Sequence, residues 1–511
     1  MENKRGSWGS NIGFLLAAVG SAVGLGNIWG FPYKMGKSGG FTFLLVYLFL
    51  AIFVGLIIMC AELALGRKTR KSPIAAYQAV SKKFKWLGWL AVLSPFLIMT
   101  FYSVLGGYCI YYVIINLIGI FGGMPDGSSF GTMLTSPWAS IGVLVAFMVI
   151  CYFIVAGGVD SGIEKFNKIG MPALFVMLVI IIIRALTMEH SVEGLKFMFV
   201  PGYAVKETEF GQFVKEAPGL VSVLATAGGQ MFFSLSLAMG AMITYGSYLG
   251  KEENLVKNSG IIVFADTLVA LMAGLAVIPA AVANGIKNGI PVGELKLGGP
   301  GLLFKTLQDV FHDMGPLGGI FGVIFYVLVL IAAISSAISL MEVLSAHFID
   351  KAAEKGKTLE RKKVVLWVSL AIMVPALLVA ADGLGSNGIA PFEVFKVKMV
   401  GDGWNDCWLD FFDYISEGFM MPLGAMLMAL MIGWEVGPQL TLDEVAHGDP
   451  SNAFKAFFKF CVRFVVPVVM AFVLAGMLAG CFGGYQTVMY IVAGVLLVGF
   501  WVFAAMGKKK A

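Results

Sequence analysis

The chain has 511 residues, of which 59% are hydrophobic and 13% charged, with a formal net charge of +5. Average soluble chains carry about 25% charged residues, so a water-soluble core is excluded. The positive charge is confined to particular loops and does not point to nucleic acid. Apolar runs of about 20 residues recur along the chain, which marks a polytopic, all-α membrane protein.

The first span reads N-I-G-F-L-L-A-A-V-G-S-A-V-G-L-G-N-I-W-G-F-P over Asn11–Pro32. Its middle, Gly20–Asn27, is a poor helix. Each of Gly20, Gly24 and Gly26 costs about 1 kcal/mol relative to Ala. Ser21 and Asn27 compete for backbone hydrogen bonds. Two half-helices meeting at a site are expected, because unwound backbone at membrane depth must line a cavity or be buried in protein. Free carbonyls and N–H groups there suit a cation beside a carboxylate. On this segment alone, a glycine-rich helix packed on a neighbour reads equally well.

Window length gives about twelve spans: 11–36, 41–66, 88–121, 138–157, 166–187, 220–249, 256–283, 318–350, 362–381, 409–437, 456–480 and 484–506. Lys4 and Arg5, the basic loops at 67–85 and 351–363, and the tail Lys508–Lys510 all fall on one side of this arrangement. Both termini are therefore expected in the cytoplasm. The start of the chain shows no cleavable signal pattern. Outer loops at about 188–218, 284–317 and 382–408 read as structured lids. A second interruption, A-G-G-Q-M-F-F-S-L-S-L-A-M-G at 227–240, lies in the sixth span. Paired interruptions in corresponding halves point to a midplane site in a secondary transporter.

Asp266 sits inside the seventh span and must be protonated, paired or bound to a cation. Ser335 and Ser336, in A-A-I-S-S-A-I-S, either bond their own backbone or offer hard oxygens to Na⁺. Glu62, Glu342, Glu417 and Glu435 read as inter-helix contacts. The four histidines lack ligand spacing. Cys407 and Cys481 read as near the surface, the other cysteines as buried in apolar runs, with no disulfide framework. No nucleophile, phosphate loop or carboxylate pair suggests an enzyme or an organic cofactor.

These residues converge on a family. W-G-S-N-I-G-F-L-L-A-A-V-G-S-A-V-G-L-G-N-I-W-G-F-P-Y, followed by S-G-G at 38–40, resembles the start of the neurotransmitter:sodium symporters. G-Q-M-F-F-S-L-S-L-A-M-G at 229–240 and A-A-I-S-S-A-I-S-L at 332–340 are similar to the sixth- and eighth-span motifs of that family. The likeness runs through the first ten or so spans.

The resemblance implies Na⁺-coupled amino-acid uptake through a leucine-transporter-like (LeuT-like) 5+5 inverted repeat. The core would cover 1–437, with repeats at about 11–187 and 220–437. Two further helices and a basic tail would fill 438–511. One sodium site would use Ala22, Asn27, Ser234 and Asp266. The other would use the carbonyls of Gly20, Val23 and Ala332 with the hydroxyls of Ser335 and Ser336. The substrate backbone would lie against Ser21, Ala22, Leu25 and Gly26, with Tyr102 on its carboxylate, near Ser234. Phe233 would cap it. Its side chain would meet Ile98, Ser236, Met239, Ser336 and Leu340. An inner gate would join Arg5, Trp8, Tyr248 and Asp350. The family's monoamine carriers place an acid at the position of Gly24, so Gly24 favours amino acids. The apolar pocket favours hydrophobic ones.

Three departures carry further expectations. Asp266 stands where the leucine transporter has Asn. In the chloride-site pattern, Tyr47, Gln230 and Ser234 match but Ala270 replaces a serine, so transport is expected to be chloride-independent. Gly30 replaces the outer-gate Arg, and Lys34, one turn on, is expected to reach Asp413 instead. Ala238 and Met239 replace Gly and Phe, and the Cβ of Ala238 is expected to narrow the pocket. The partners implied are an amino acid and membrane lipids, in a plasma membrane. A proton-coupled carrier of the same fold and a non-transporting, receptor-like relative are the competing readings.

Overall fold

The computed structural model describes residues 7–202, 219–287, 300–397, 399–400, 404–448, 450–481 and 486–506. Among these the chain is helical throughout, with no strand. The helices that matter below are α1 (Asn11–Ala22), α2 (Gly26–Lys37), α3 (Phe41–Thr69), α4 (Leu87–Gly122), α5 (Pro137–Ala156), α6 (Val159–Leu186) and α7 (Leu220–Ser234). They continue as α8 (Ala241–Gly246), α9 (Leu255–Lys287), α10 (Leu317–Glu354), α11 (Arg361–Asp382), α12 (Trp408–Glu435), α13 (Asn452–Leu478) and α14 (Gln486–Ala505).

Each of the twelve expected spans finds a helix. Among the described residues nine are single helices long and apolar enough to cross a membrane, and α1 with α2, bent by 45°, makes a tenth. The sixth span falls short by length because it is split into α7 and α8. The twelfth is α14, whose apolar stretch among the described residues is Tyr490–Phe503.

Burial sorts the helices. In their apolar windows α5 and α6 are one-third buried, against 83% for α12. Large side chains such as Trp138 and Trp367 project outward, on the surface a bilayer would cover. The broken helices lie inside. α1 packs against α6, α9 and α10, and α10 lies along α4. The first span thus breaks where it is surrounded by protein and not where lipid would reach it, as unwound backbone at membrane depth requires.

The outer loops carry short helices, Ser191–Phe199, Leu307–Asp313 and Pro391–Phe395. Parts of all three expected lids, 203–218, 288–299, 398 and 401–403, lie outside the described residues, as do Arg5 and the basic tail. Cys407 corrects an expectation. It is buried, and its Sγ accepts from Asp410 N at 3.4 Å, capping the start of α12.

Candidate substrate and sodium sites

The break between α1 and α2 can be followed bond by bond. In a continuous helix the carbonyls of Gly20, Ser21 and Val23 would accept from the N–H groups of Gly24, Leu25 and Asn27. Gly24 N donates instead to Asn27 Oδ1 at 2.9 Å, Leu25 N to the Tyr102 hydroxyl at 3.0 Å, and Asn27 N to Gly24 O at 3.2 Å. The carbonyls so released meet hydroxyls. Ser336 Oγ lies 3.4, 3.0 and 3.5 Å from the oxygens of Gly20, Ser21 and Val23. Ser335 Oγ lies 3.3 Å from Val23 O and 2.8 Å from Ala332 O. All five residues of the second sodium site expected from the sequence therefore converge. Their oxygens are hard, neutral and buried, which fits Na⁺.

Asp266 of α9 is fully buried. Its carboxylate accepts from Asn27 Nδ2 at 2.7 Å and from Ser234 Oγ at 2.9 and 3.1 Å, with Tyr47 Oη at 3.3 Å. These three partners are all neutral. A buried carboxylate with neutral donors needs a counter-charge, and a cation supplies one. Asn27 presents its Nδ2 to this carboxylate while its Oδ1 accepts from Gly24 N, so the amide joins Asp266 to the break. Ala22, the fourth expected member of this site, lines the neighbouring cavity.

The break between α7 and α8 is different. Ser236, Ala238 and Gly240 have φ of 52°, 59° and 74°. Left-handed backbone costs an L-residue about 1–2 kcal/mol, so the segment must be held. Glu62, fully buried on α3, accepts from Ala238 N at 2.7 Å. Ser236 Oγ donates to Ser21 O at 2.7 Å and ties the two breaks together. Gln230 Nε2 adds a bond to Gly26 O at 2.7 Å.

Between the breaks lies a small cavity. Its polar end is formed by Ser21, Ala22, Gly24 and Gly26 with Tyr102. Its apolar end is formed by Ile98, Met239, Leu340 and Phe233, with Ser236 and Ser336 beside them. A Cβ on Gly24 would overlap Ser336 Oγ and the Tyr102 hydroxyl, so an acid is not accommodated there without movement. The volume is about 10 Å³, room for about one water, so the site is contracted here. Leu25 and Ser234 do not line it. Leu25 contributes its N–H to Tyr102, and Ser234 its hydroxyl to Asp266. Ala238 does not line it either, which corrects the expectation that its Cβ narrows the pocket. Its left-handed backbone turns that Cβ toward α12, where a Cβ on Gly424 would stand 3.6 Å away.

Phe233 separates this cavity from a larger one of about 280 Å³ that is also lined by Gly30, Lys34, Asp413 and Glu417. Lys34 was expected to reach Asp413, but its ammonium pairs with Glu417, one turn further along α12. Among the described residues Asp413 Oδ1, buried in the same cavity, has no hydrogen-bond partner. On the other side Trp8 stacks edge-on against Phe14, Tyr245 and Tyr248, and its Nε1 donates to Tyr245 O at 3.2 Å. Asp350 accepts from Ser72 N at 2.7 Å. Its expected partner Arg5 lies outside the described residues. A cavity of about 490 Å³, lined among others by Arg70, Tyr248, Asp350 and Arg361, opens beyond. Behind its wall Tyr248 donates to buried Glu342 at 2.7 Å, and Glu342 pairs with Arg361.

Sequence reasoning treated Glu62 only as an inter-helix contact. Its place inside an apolar span was the signal that it could hold something specific. Ser339 was also passed over. Its hydroxyl lies 2.7 Å from Ser21 Oγ, beside the first break.

Two broken helices around a closed central cavity, with oxygen clusters suited to a hard cation and an approach from either side, define a membrane transporter rather than an enzyme. A model of the sodium:neurotransmitter symporter family matches residues 5–120 and 127–506, which extends the likeness through the last two spans. The chain belongs to this family and is a sodium-dependent transporter. It is 34% identical over 462 residues to the sodium-dependent transporter YhdH of Bacillus subtilis, covering 89% of this chain and 93% of that one. Over 484 residues it is 23% identical to the human sodium- and chloride-dependent GABA transporter 2, covering 86% and 75%. Among solved structures it is similar to MhsT in complex with L-phenylalanine, with a TM-score of 0.79 and 34% identity. That match covers 93% of this chain and 100% of the other, and the fold is the LeuT-like one.

Proposed function

We propose that this protein carries hydrophobic amino acids into the cell on a sodium gradient, using two sodium ions' sites and no chloride. The observation that carries the substrate class is the division of one cavity into a backbone-polar end and an apolar end. Leu25 N–H and the Tyr102 hydroxyl face each other, and a carboxylate entering between them would receive both as donors. An amino acid's side chain would then extend toward Ile98, Met239 and Leu340. The similarity to MhsT with L-phenylalanine agrees with this size class. A pocket of this kind separates neighbours by only about 1–3 kcal/mol per methylene, so several substrates are expected.

Chloride independence rests on Asp266. Tyr47 and Ser234, two residues of the family's chloride pattern, turn their hydroxyls to this carboxylate. The fixed negative charge takes the place of the anion beside sodium. Asn27, Ser234 and Tyr47 all donate to it, the arrangement an ionised acceptor prefers, which favours sodium over proton coupling.

Transport would proceed by alternating access, α1–α3 and α7–α9 rocking against α4, α5, α10 and α11. The two five-span repeats form this core, and α13 and α14 stand beside it. The termini face the cytoplasm of a plasma membrane. Lys34 and Glu417 serve as the outer gate in place of the missing Arg, and Trp8, Tyr248 and Asp350, with Arg5, form the inner one.

The test is uptake of a panel of labelled amino acids into proteoliposomes under an inward sodium gradient, a proton gradient, or neither. Accumulation of hydrophobic amino acids with sodium alone, undiminished when gluconate replaces chloride, is the expected result. Accumulation with protons alone would turn Asp266 into a proton carrier. Wild-type kinetics in Lys34→Ala would remove the gate assignment.

A further inference from the structure

α13 carries a charge where it has already become apolar. Its first turns, Asn452–Phe460, are amphipathic, and Cys461 opens an apolar run to Leu478 with one charged residue, Arg463. A charged side chain inside a span is expensive and is ordinarily paired. Arg463 is only partly satisfied. Its Nε donates to Gly433 O at 3.0 Å, one of the last carbonyls of α12, and its own carbonyl accepts from Trp434 Nε1 at 3.1 Å. The two helices meet where both widen into π turns, Met431–Glu435 and Cys461–Val465, a local form frequent at functional sites. A Cβ on Gly433 would stand 3.2 Å from Arg463 Cα, so the glycine admits this clasp. The clasp fixes the guanidinium yet uses one of its five N–H groups. The two Nη atoms have no hydrogen-bond or ionic partner among the described residues.

Two more cations share this face. Lys455 and Lys459 precede Arg463 by two turns and by one, in a row about 12 Å long. Lys459 is exposed and Lys455 half-buried, and neither forms an ion pair among the described residues. The described acids between the two helices are taken. Glu435 accepts from Ser81 Oγ at 2.7 Å, Asp443 accepts from Gln439 Nε2 at 2.7 Å, and Glu444 pairs with Arg67 at 3.0 Å. The row is therefore a stripe of positive charge without a local counter-charge. Rings run beside it. Phe460 and Phe464, each one residue beyond a cation, are exposed, with centroids 5.9 Å apart. They continue through Trp434, 5.7 Å from Phe464, to Trp501 of α14, a further 6.1 Å away.

We propose that this junction binds one anionic phospholipid, its phosphate between Arg463 and Lys459 and its acyl chains along Phe460 and Phe464. The phosphate receives the free Nη groups in the planar fork that suits it. Lys455 adds attraction from the end of the row. A lipid fits better than a free phosphate, because Arg463 lies within the apolar run and exposed rings flank the approach. An anionic lipid fits better than a choline lipid, whose own ammonium would face the lysines. The site is independent of the transported substrate and of the coupling ion.

The test is binding of phosphatidylglycerol, phosphatidylcholine or inorganic phosphate to the full-length protein stripped of lipid in neutral detergent, read by native mass spectrometry. Phosphatidylglycerol is expected to bind at least about tenfold more tightly than phosphatidylcholine. Arg463→Gln keeps an N–H donor near Gly433 and is expected to lose most of that preference. Arg463→Lys, which keeps the charge without the fork, is expected to lose less. Lys455→Gln with Lys459→Gln, at positions that hold no other helix, is expected to weaken phosphatidylglycerol about fivefold per lysine at low salt. That loss should fade at high salt while the loss from Arg463→Gln persists, since only exposed charges are strongly screened. Equal binding of the two lipids, or unchanged phosphatidylglycerol binding in Arg463→Gln, would overturn the site. If Arg463→Gln does not fold, unchanged binding in the double lysine variant at low salt would overturn it. Inorganic phosphate binding as tightly as phosphatidylglycerol would overturn the lipid as its occupant.

Discussion

The first and sixth spans are both broken near their middle, and the two breaks are held by opposite means. The freed N–H groups of the first are met close at hand: Asn27 folds back on Gly24, and Leu25 donates to the hydroxyl of Tyr102. Its backbone needs no left-handed residue, since Val23 is merely extended at φ −74°. The sixth needs three left-handed residues and a carboxylate from α3 to hold Ala238. The first break sets carbonyl oxygens free, and the sixth aims side chains, Phe233, Ser236 and Met239, at the cavity. The comparison suggests a division of labour, with the first break making cation sites and the sixth shaping the substrate end.

The strongest way to break that division is at Asp266, which joins the two spans through Asn27 and Ser234. Losing the charged partner of a buried cation costs about 3 kcal/mol or more, hence at least about 100-fold. Asp266→Ala is expected to abolish sodium-dependent uptake in proteoliposomes. A variant that kept its sodium half-saturation would show that Asp266 is no ligand.

Ser335→Ala is milder. It removes one neutral ligand of the proposed second sodium site and leaves the carbonyls of Gly20, Val23 and Ala332 in place. The sodium half-saturation constant is expected to rise about tenfold, equivalent to about 1.4 kcal/mol, with substrate selectivity unaltered. If selectivity shifted while sodium affinity held, the assignment of the first break to cations would be wrong.

Glu62→Leu addresses the sixth break. It leaves Ala238 N–H buried without an acceptor, at a cost of about 1–3 kcal/mol. Thermal stability in detergent should fall, and substrate affinity should fall more than sodium affinity. Glu62→Gln retains an acceptor oxygen and should recover most of both. Equal losses in sodium and substrate affinity would merge the two breaks into one functional unit.

Much of this is legible in the sequence, for physical reasons that can be named. Apolar runs announce spans because a bilayer admits little else. The first break was readable from three glycines and Asn27 because local propensity and function agree there. The Asp266 site was readable because an ionisable group in a span demands an explanation. What escaped depended on which face a side chain turns to. Lys34 reaches Glu417 rather than Asp413, two positions on one helix that sequence spacing cannot separate. The direction of the Ala238 side chain follows from a backbone φ set by Glu62 on a distant span, and no local pattern reveals it.

Ala238 gives the smallest expected effect and the finest test of the sixth break. Its left-handed φ costs an alanine about 1–2 kcal/mol, which glycine would relieve. Glycine also enlarges the unfolded ensemble, at about 0.4–1 kcal/mol in the other direction. Ala238→Gly is therefore expected to change stability by no more than about 1 kcal/mol. Because the Cβ faces Gly424 and not the cavity, the order of preferred amino acids in a competition assay should stay the same. An altered order would mean that the loop is set by the alanine as well as by Glu62, and that its strain reaches Met239, the next residue and a wall of the pocket.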